Sequence, residues 1–333
     1  MATTPPAKPH TASIESPVQA SKRRGLARPL LRIAAGAALL TLVVWYADPL
    51  ALWSKLSQAN LQLTMLAVLL SIAANVLSAL RWAVIARGLG LIAPNAKLVA
   101  MYARGLTTNM LLPGATLSGD LLRSAQLSGL GNPLMASALS VFLDRFSGLW
   151  VLCLLSLLSA AGVALWGAAR YGSHIAPDQM SAYLLLLGAI AAAPFIPVPS
   201  AWLERSTIAW VAALASRWAR FRSRLHRARP ALLASVWQSL GVQLVSACTL
   251  WFCALALGVT LPYPLMLAAA APIFIMAALP VGIAGFGTRE LAAVLVLGWV
   301  GVPSDLAAAT SLLYGLATVL QGIVAAPLFF VRA

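Results

Sequence analysis

The stretch Asn109-Met-Leu-Leu-Pro-Gly-Ala-Thr-Leu-Ser-Gly-Asp-Leu-Leu-Arg-Ser124 sets Pro113, Gly114, Ser118, Gly119, Asp120 and Arg123 between long apolar runs. The chain around it is 61% hydrophobic and 9% charged over 333 residues, with a mean hydropathy of +0.88. A bilayer core of ~30 Å takes about 20 apolar residues in a helix, and runs of that length recur from Leu30 onward. Backbone groups in lipid must be satisfied within their own segment, so each run predicts a helix. No ten-residue alternation of period two is present, which excludes a transmembrane β-barrel. The expected fold is therefore an all-α polytopic membrane protein with about 8 transmembrane helices. Within it, the quoted stretch and a second polar island, Leu279–Glu290, are expected to form broken or re-entrant units.

Working outward, residues 1–21 are rich in Pro, Thr, Ser and Ala, and residues 1–29 predict a disordered basic cytoplasmic tail. Residues 30–333 predict a single transmembrane domain. Candidate spans fall near 30–47, 61–80, 98–112, 134–166, 181–199, 231–257, 263–281, 289–301 and 304–331. The short return at 81–97, with Arg81, Arg87 and Lys97, is expected on the cytoplasmic side. Residues 205–227 combine Val211, Leu214, Trp218, Phe221 and Leu225 at helical spacing with an arginine stripe, which predicts a cytoplasmic interfacial helix. A signal-anchor retained at the N-terminus fits the basic cluster Lys22, Arg23, Arg24, Arg28 and Arg32 before the first run.

The formal charge of +15 does not point to nucleic acid, because the basic residues cluster beside apolar runs, as the positive-inside rule and anionic headgroups demand. Cys153, Cys248 and Cys253 all lie within apolar runs and imply neither a disulfide framework nor a metal site. The histidines at 10, 174 and 226 assemble no catalytic set, and no cofactor is implied.

Charge parity bears on the islands. Five apolar segments separate two ends that should both be cytoplasmic, which needs an even number of crossings. Residues 134–166 would form a helix of about 50 Å, too long for one span. Either that run is a partial helix plus a full span, or residues 113–130 hold a half-helix inside the membrane.

A shift of 170 residues aligns the islands without gaps: Ser118 on Thr288, Asp120 on Glu290, Gly131 and Pro133 on Gly301 and Pro303, Ser140 on Thr310. The repeat units are expected near 109–150 and 279–320. In each, a helix break (Pro113, Gly114 and Gly119; Pro280, Gly285 and Gly287) precedes a hydroxyl read as an N-cap and an acid read in the first turn. Short interrupted helices in duplicated units point to a substrate site at the repeat interface. Whether the repeats run parallel or inverted is open at this level. The ionisable residues within apolar segments are Arg104, Asp120, Arg123, Asp144, Arg145, Arg289 and Glu290. Such residues face a cavity or one another. The candidate cavity set is Asp120, Arg123, Asp144, Arg145, Arg289, Glu290, Ser118 and Thr288. Helix N-termini and arginines suit an anionic headgroup, with Asp120 and Glu290 as counter-ions or proton carriers; interhelical stitching alone is the structural alternative.

Three stretches resemble the membrane domain of the lysylphosphatidylglycerol synthase family, also described as flippase-like integral membrane proteins. They are Leu112-Pro113-Gly114 leading to Gly119-Asp120-Leu121-Leu122-Arg123, Ser140–Gly148, and Leu279–Glu290 followed by Gly301-Val302-Pro303. Ser118 stands where the family often has a second glycine. The resemblance implies a bacterial inner-membrane protein that moves a lipid or lipid-linked substrate, such as an anionic, glycan-linked or hopanoid lipid, between leaflets. The soluble aminoacyl-transfer domain of bifunctional relatives would have to follow Ala333, so the chain is expected not to be an enzyme, and a separate lipid-modifying enzyme is a possible partner. Two other readings stand beside this one. One is a membrane-embedded transferase acting on polyprenyl-phosphate sugars; the other is a non-catalytic scaffold for lipid-modifying enzymes.

Overall fold

A computed structural model describes residues 49–111, 116–167, 177–193, 228–279 and 285–325, with isolated positions at 41, 45 and 327. The tail at 1–29, the run at 30–47, the breaks at Pro113, Gly114 and Pro280, and the interfacial helix at 205–227 lie outside or almost outside them. The described residues are helical and contain no strand. In chain order the helices are α1 (Pro49–Ser57), α2 (Leu61–Gly88), α3 (Asn95–Leu111), α4 (Thr116–Ser128) and α5 (Leu134–Gly162). There follow α6 (Pro177–Ala192), α7 (Arg229–Ala256), α8 (Tyr263–Ala278), α9 (Thr288–Gly298) and α10 (Ser304–Ala325).

Among the described residues, four helices are long and apolar enough to cross a membrane: α2, α5 with its continuation to Leu165, α7 and α10. α6 and α8 are shorter apolar helices. The burial pattern agrees with lipid outside. Leu61, Leu69, Phe142, Leu158, Trp237 and Ile323 are exposed, whereas Ser137, Ser140, Ser156, Ser235, Ser239, Asp144 and Glu290 are buried. In water that arrangement would expose apolar area and desolvate polar groups; in a bilayer both faces are satisfied. Small residues carry the close contacts. Ala254, Ala269, Ala292, Ala293 and Ala307 share one core cluster with Leu250, Met266 and Ile273.

Local exceptions are compensated. Pro272 inside α8 has no N–H for the carbonyl of Ala268, four residues earlier, and the Tyr183 hydroxyl of α6 donates to that oxygen at 2.6 Å. Ser156 of α5 donates to Leu267 O at 2.8 Å and accepts from Ala271 N at 3.2 Å, tying α5 to the same turn.

Several elements resemble one another in length and in the way they end. α2 and α7 each have 28 residues, and each ends in a turn with a positive-φ glycine, Gly90 and Gly258. The short helices α4 and α9, of 13 and 11 residues, each lead to a glycine of positive φ (Gly131, Gly301) and a proline before the next helix. α2 and α7 pack along their length in opposite directions. Asn60 N donates to Ala256 O at 2.8 Å at one end, and at the other a Cβ on Gly88 would come within 2.2 Å of Ala231 Cβ. The remaining contacts pair up: α3 meets α10 as α8 meets α5, and α2 touches α5 and α10 as α7 touches α10 and α5.

Several expectations need correction. Residues 134–162 form one continuous helix, so the division of that run into a partial helix and a span does not occur. Arg81 does not belong to a return loop: α2 continues to Gly88 and Arg81 is buried within it. Ser118 is not an N-cap, since α4 begins at Thr116; Asp120 is its fifth residue and lies beyond the first turn. Gly119 does not break the chain but sits inside α4. Thr288 is the first residue of α9, behind the cap residue Gly287.

Candidate functional site

Two clusters of buried charge stand on either side of one cavity. In the first, Asp144 of α5 receives two guanidiniums. Arg81 Nε of α2 donates to Oδ1 at 3.0 Å and Arg123 Nη2 of α4 to Oδ2 at 2.9 Å. Arg81 Nη1 also donates to Ser239 Oγ of α7 at 3.0 Å. Each cation supplies counter-charge to the buried carboxylate, which offsets part of the cost of taking all three out of water. Neighbouring Arg145 grips Asp120 of α4 with two donors, Nε to Oδ2 and Nη2 to Oδ1, each at 2.9 Å. Asp120 Oδ1 also lies 3.5 Å from Arg123 Nη1. Three guanidiniums against two carboxylates leave the cluster with one excess positive charge.

Arg123 is stacked between two rings, 4.2 Å from the Trp82 centroid and 4.4 Å from Tyr102. Cation–π attraction is stronger for a desolvated cation than for an exposed one. Trp82 is itself fixed by its indole N–H, which donates to Ser140 Oγ at 3.1 Å. Gly105 admits the arginine stem, since a Cβ there would meet Arg123 Cδ at 2.8 Å. Gly119 lets α4 approach α3, and its N–H donates to Asn109 Oδ1 at 2.7 Å.

The second cluster is local. Arg289 Nη2 donates to Glu290 Oε1 at 2.9 Å, and Ser311 Oγ of α10 donates to the same oxygen at 3.0 Å. The other carboxylate oxygen, Oε2, accepts Gly287 N at 2.6 Å, which satisfies a backbone donor at the start of α9. Gly287 has φ +92°, a conformation open to glycine and strained for other residues. Arg289 lies 4.9 Å from the Phe286 ring centroid and 5.6 Å from that of Tyr314. It fits only because Gly315 has no side chain, as a Cβ there would lie 2.0 Å from Nη2.

The cavity between the clusters has a volume of ≈ 400 Å³ and takes residues from α2–α5 and α7–α10. Asp120, Arg123, Arg145 and Arg289 supply its charges; Asn75, Asn109, Gln243 and Thr318 its neutral polar groups; Tyr102, Phe274 and Tyr314 its rings. Residues 30–326 match the family model described as the lysylphosphatidylglycerol synthase TM region. The chain belongs to this family. No curated protein matches it. Membership and the apolar helices make it a multi-pass membrane protein with a lipid-related role.

Of the residues expected at a site in this family member, Asp120, Arg123, Arg145 and Arg289 reach the cavity. Asp144 and Glu290 do not line it; they stand behind it as the anchors of Arg123 and Arg289. Thr288 Oγ1 donates to Gly285 O at 3.2 Å, and neither Thr288 nor Ser118 lines the cavity. Arg104 is buried on α3 away from the cavity lining. Sequence reasoning misses Arg81, the clamping rings Trp82, Tyr102 and Tyr314, and the carboxamides Asn75, Asn109 and Gln243. Arg81 carries a readable signal, because Ala83, Val84, Ile85 and Ala86 continue the apolar run beyond it. The rings carry none, being contributed by distant helices in a chain rich in aromatic and aliphatic residues alike. Among the described residues no cluster of metal-ligating side chains is present.

Proposed function

We propose that the protein is a lipid translocase that moves an amphiphile with an anionic headgroup between leaflets. The observation that carries this reading is the ≈ 400 Å³ cavity, which collects three arginines against one carboxylate inside a predominantly apolar helix bundle. Charge inside a membrane domain is costly and is retained where it serves a substrate path. A guanidinium binds a phosphate bidentately, and the rings and aliphatic wall suit the adjoining glycerol and acyl portions. The charged cavity groups are arginines set against a carboxylate, an arrangement suited to holding an anionic headgroup during transport.

Helices α2–α5 and α7–α10 form two units of inverted topology. The opposed packing of α2 on α7 and the paired contacts of the other helices support this, as does a cavity to which every helix of both units contributes. Such units rock against each other around a fixed midplane site in secondary transporters. The Gly90 and Gly258 turns then face opposite sides. Arg87, Lys97 and Arg229 gather at the Gly90 end against Lys55 at the other, which favours a cytoplasmic Gly90 turn and a cytoplasmic N-terminus in the inner membrane.

Reconstitution tests the function. Vesicles containing the protein should transfer fluorescent phosphatidylglycerol between leaflets well above the protein-free rate, and Arg289→Ala should lower that rate at least tenfold. Transfer no faster than in protein-free vesicles, for anionic and zwitterionic lipids alike, would overturn the reading.

A further inference from the structure

The five carboxylate–arginine contacts around the cavity differ in access. Asp144 and Glu290 have side-chain exposures of 1% and 0%, and their arginine partners Arg81, Arg123 and Arg289 stay at or below 5%. Asp120 and Arg145 reach 16% and 38%, and both line the cavity. Asp120 is moreover held like a ligand rather than like a buried structural acid. Two guanidiniums converge on it, Arg145 in bidentate fashion and Arg123 Nη1 at 3.5 Å, longer than a hydrogen bond. Arg123 has donor capacity to spare: its buried Nε has no hydrogen-bond partner among the described residues, although the guanidinium is clamped in place by two rings.

We infer that the Asp120 carboxylate occupies an oxyanion subsite, and that a phosphate ester group displaces it from Arg145 when substrate enters. A phosphodiester presents two anionic oxygens at a spacing close to that of a carboxylate, so it can take over the fork of Arg145. Asp120 keeps the subsite neutralised until then, which lowers the cost of an open cationic cavity inside the membrane. Arg123 does not move, because Asp144 and the rings Trp82 and Tyr102 hold it; Arg145 is the mobile half of the clamp. Asp120 is thus a competitor of the headgroup and sets the affinity of the site. The inference rests on the translocase reading only for the identity of the ligand as a lipid.

Equilibrium binding tests it without transport. Full-length protein in zwitterionic nanodiscs is titrated with fluorescent phosphatidylglycerol, with thermal melting as the check on folding. Asp120→Asn should bind about tenfold more tightly than wild type, and Arg145→Gln about tenfold more weakly. The double variant should match Arg145→Gln, since Asp120 acts by occupying Arg145. Competition separates the sources of the phosphate: glycerol phosphate should displace the probe poorly if the site takes a lipid headgroup, and as well as the lipid itself if it takes a free ester. Unchanged or weaker binding by folded Asp120→Asn, or a gain that persists in the double variant, would overturn the inference. So would wild-type protein that binds no phosphatidylglycerol. Tight, Asp120-dependent binding without leaflet transfer would sink the translocase reading alone.

Discussion

The two polar clusters start from acids that align at a shift of 170 residues, Asp120 and Glu290, yet they are built in different ways. Glu290 finds everything within reach of one helix start: the arginine before it, the cap N–H of Gly287 and Ser311 from the adjoining helix. Its charge is balanced by Arg289, and its side chain is fully buried. The Asp120 side draws on α2, α4, α5 and α7 and leaves one positive charge over. Matched positions thus carry unlike duties. One cluster locks a helix terminus and presents a single arginine; the other holds a pair that can open. The difference teaches that exposure and partner number, rather than the presence of an acid, decide which charges can act on a ligand.

The comparison breaks most visibly at Asp144. Asp144→Asn leaves Arg81 and Arg123 buried without their counter-charge, a loss of about 3–5 kcal/mol, and should abolish recovery of monodisperse protein by size exclusion. Glu290→Gln is milder, because an amide oxygen can still accept Gly287 N. A loss of about 1–3 kcal/mol is expected, read as a lower melting temperature. If Glu290→Gln proved costlier than Asp144→Asn, the assignment of the larger structural burden to the first cluster would be wrong.

Gly315→Ala sharpens the role of Arg289. The new methyl would stand 2.0 Å from Nη2 and force the guanidinium from between Phe286 and Tyr314, at about 1–3 kcal/mol. Lipid transfer should fall while Asp120-dependent binding persists. The smallest effect belongs to Tyr183→Phe, which removes the donor that satisfies Ala268 O below Pro272. About 1 kcal/mol is expected, as a melting shift of a few degrees with transfer unchanged.

Much of this architecture is legible in the sequence, because a bilayer leaves helical runs little freedom. α2, α7 and α10 begin close to where their apolar runs begin, and the acids of both islands are visible as charges among Leu and Ala. Boundaries and partners are less legible. Ending the second run at residue 80 hides Arg81, although its helix goes on to Gly88. Reading Ser118 as a cap presumes that the break reaches Gly119, whereas Gly119 serves as a thin place where α4 closes on Gly105 O. The pairing of Asp120 with Arg145 crosses from α4 to α5, and nothing in the spacing of the two residues distinguishes Arg145 from the nearer Arg123 as its partner. Helix periodicity names the faces; tertiary packing chooses the neighbours.

The most direct measurement is a cryo-electron-microscopy map of the protein in nanodiscs containing phosphatidylglycerol. The expected result is a headgroup phosphate within hydrogen-bond distance of Arg145, with the Asp120 carboxylate turned away and Arg289 facing the same volume. A cavity with no lipid headgroup and an unbroken Asp120–Arg145 pair, while headgroups crowd only the outer faces, would contradict the account.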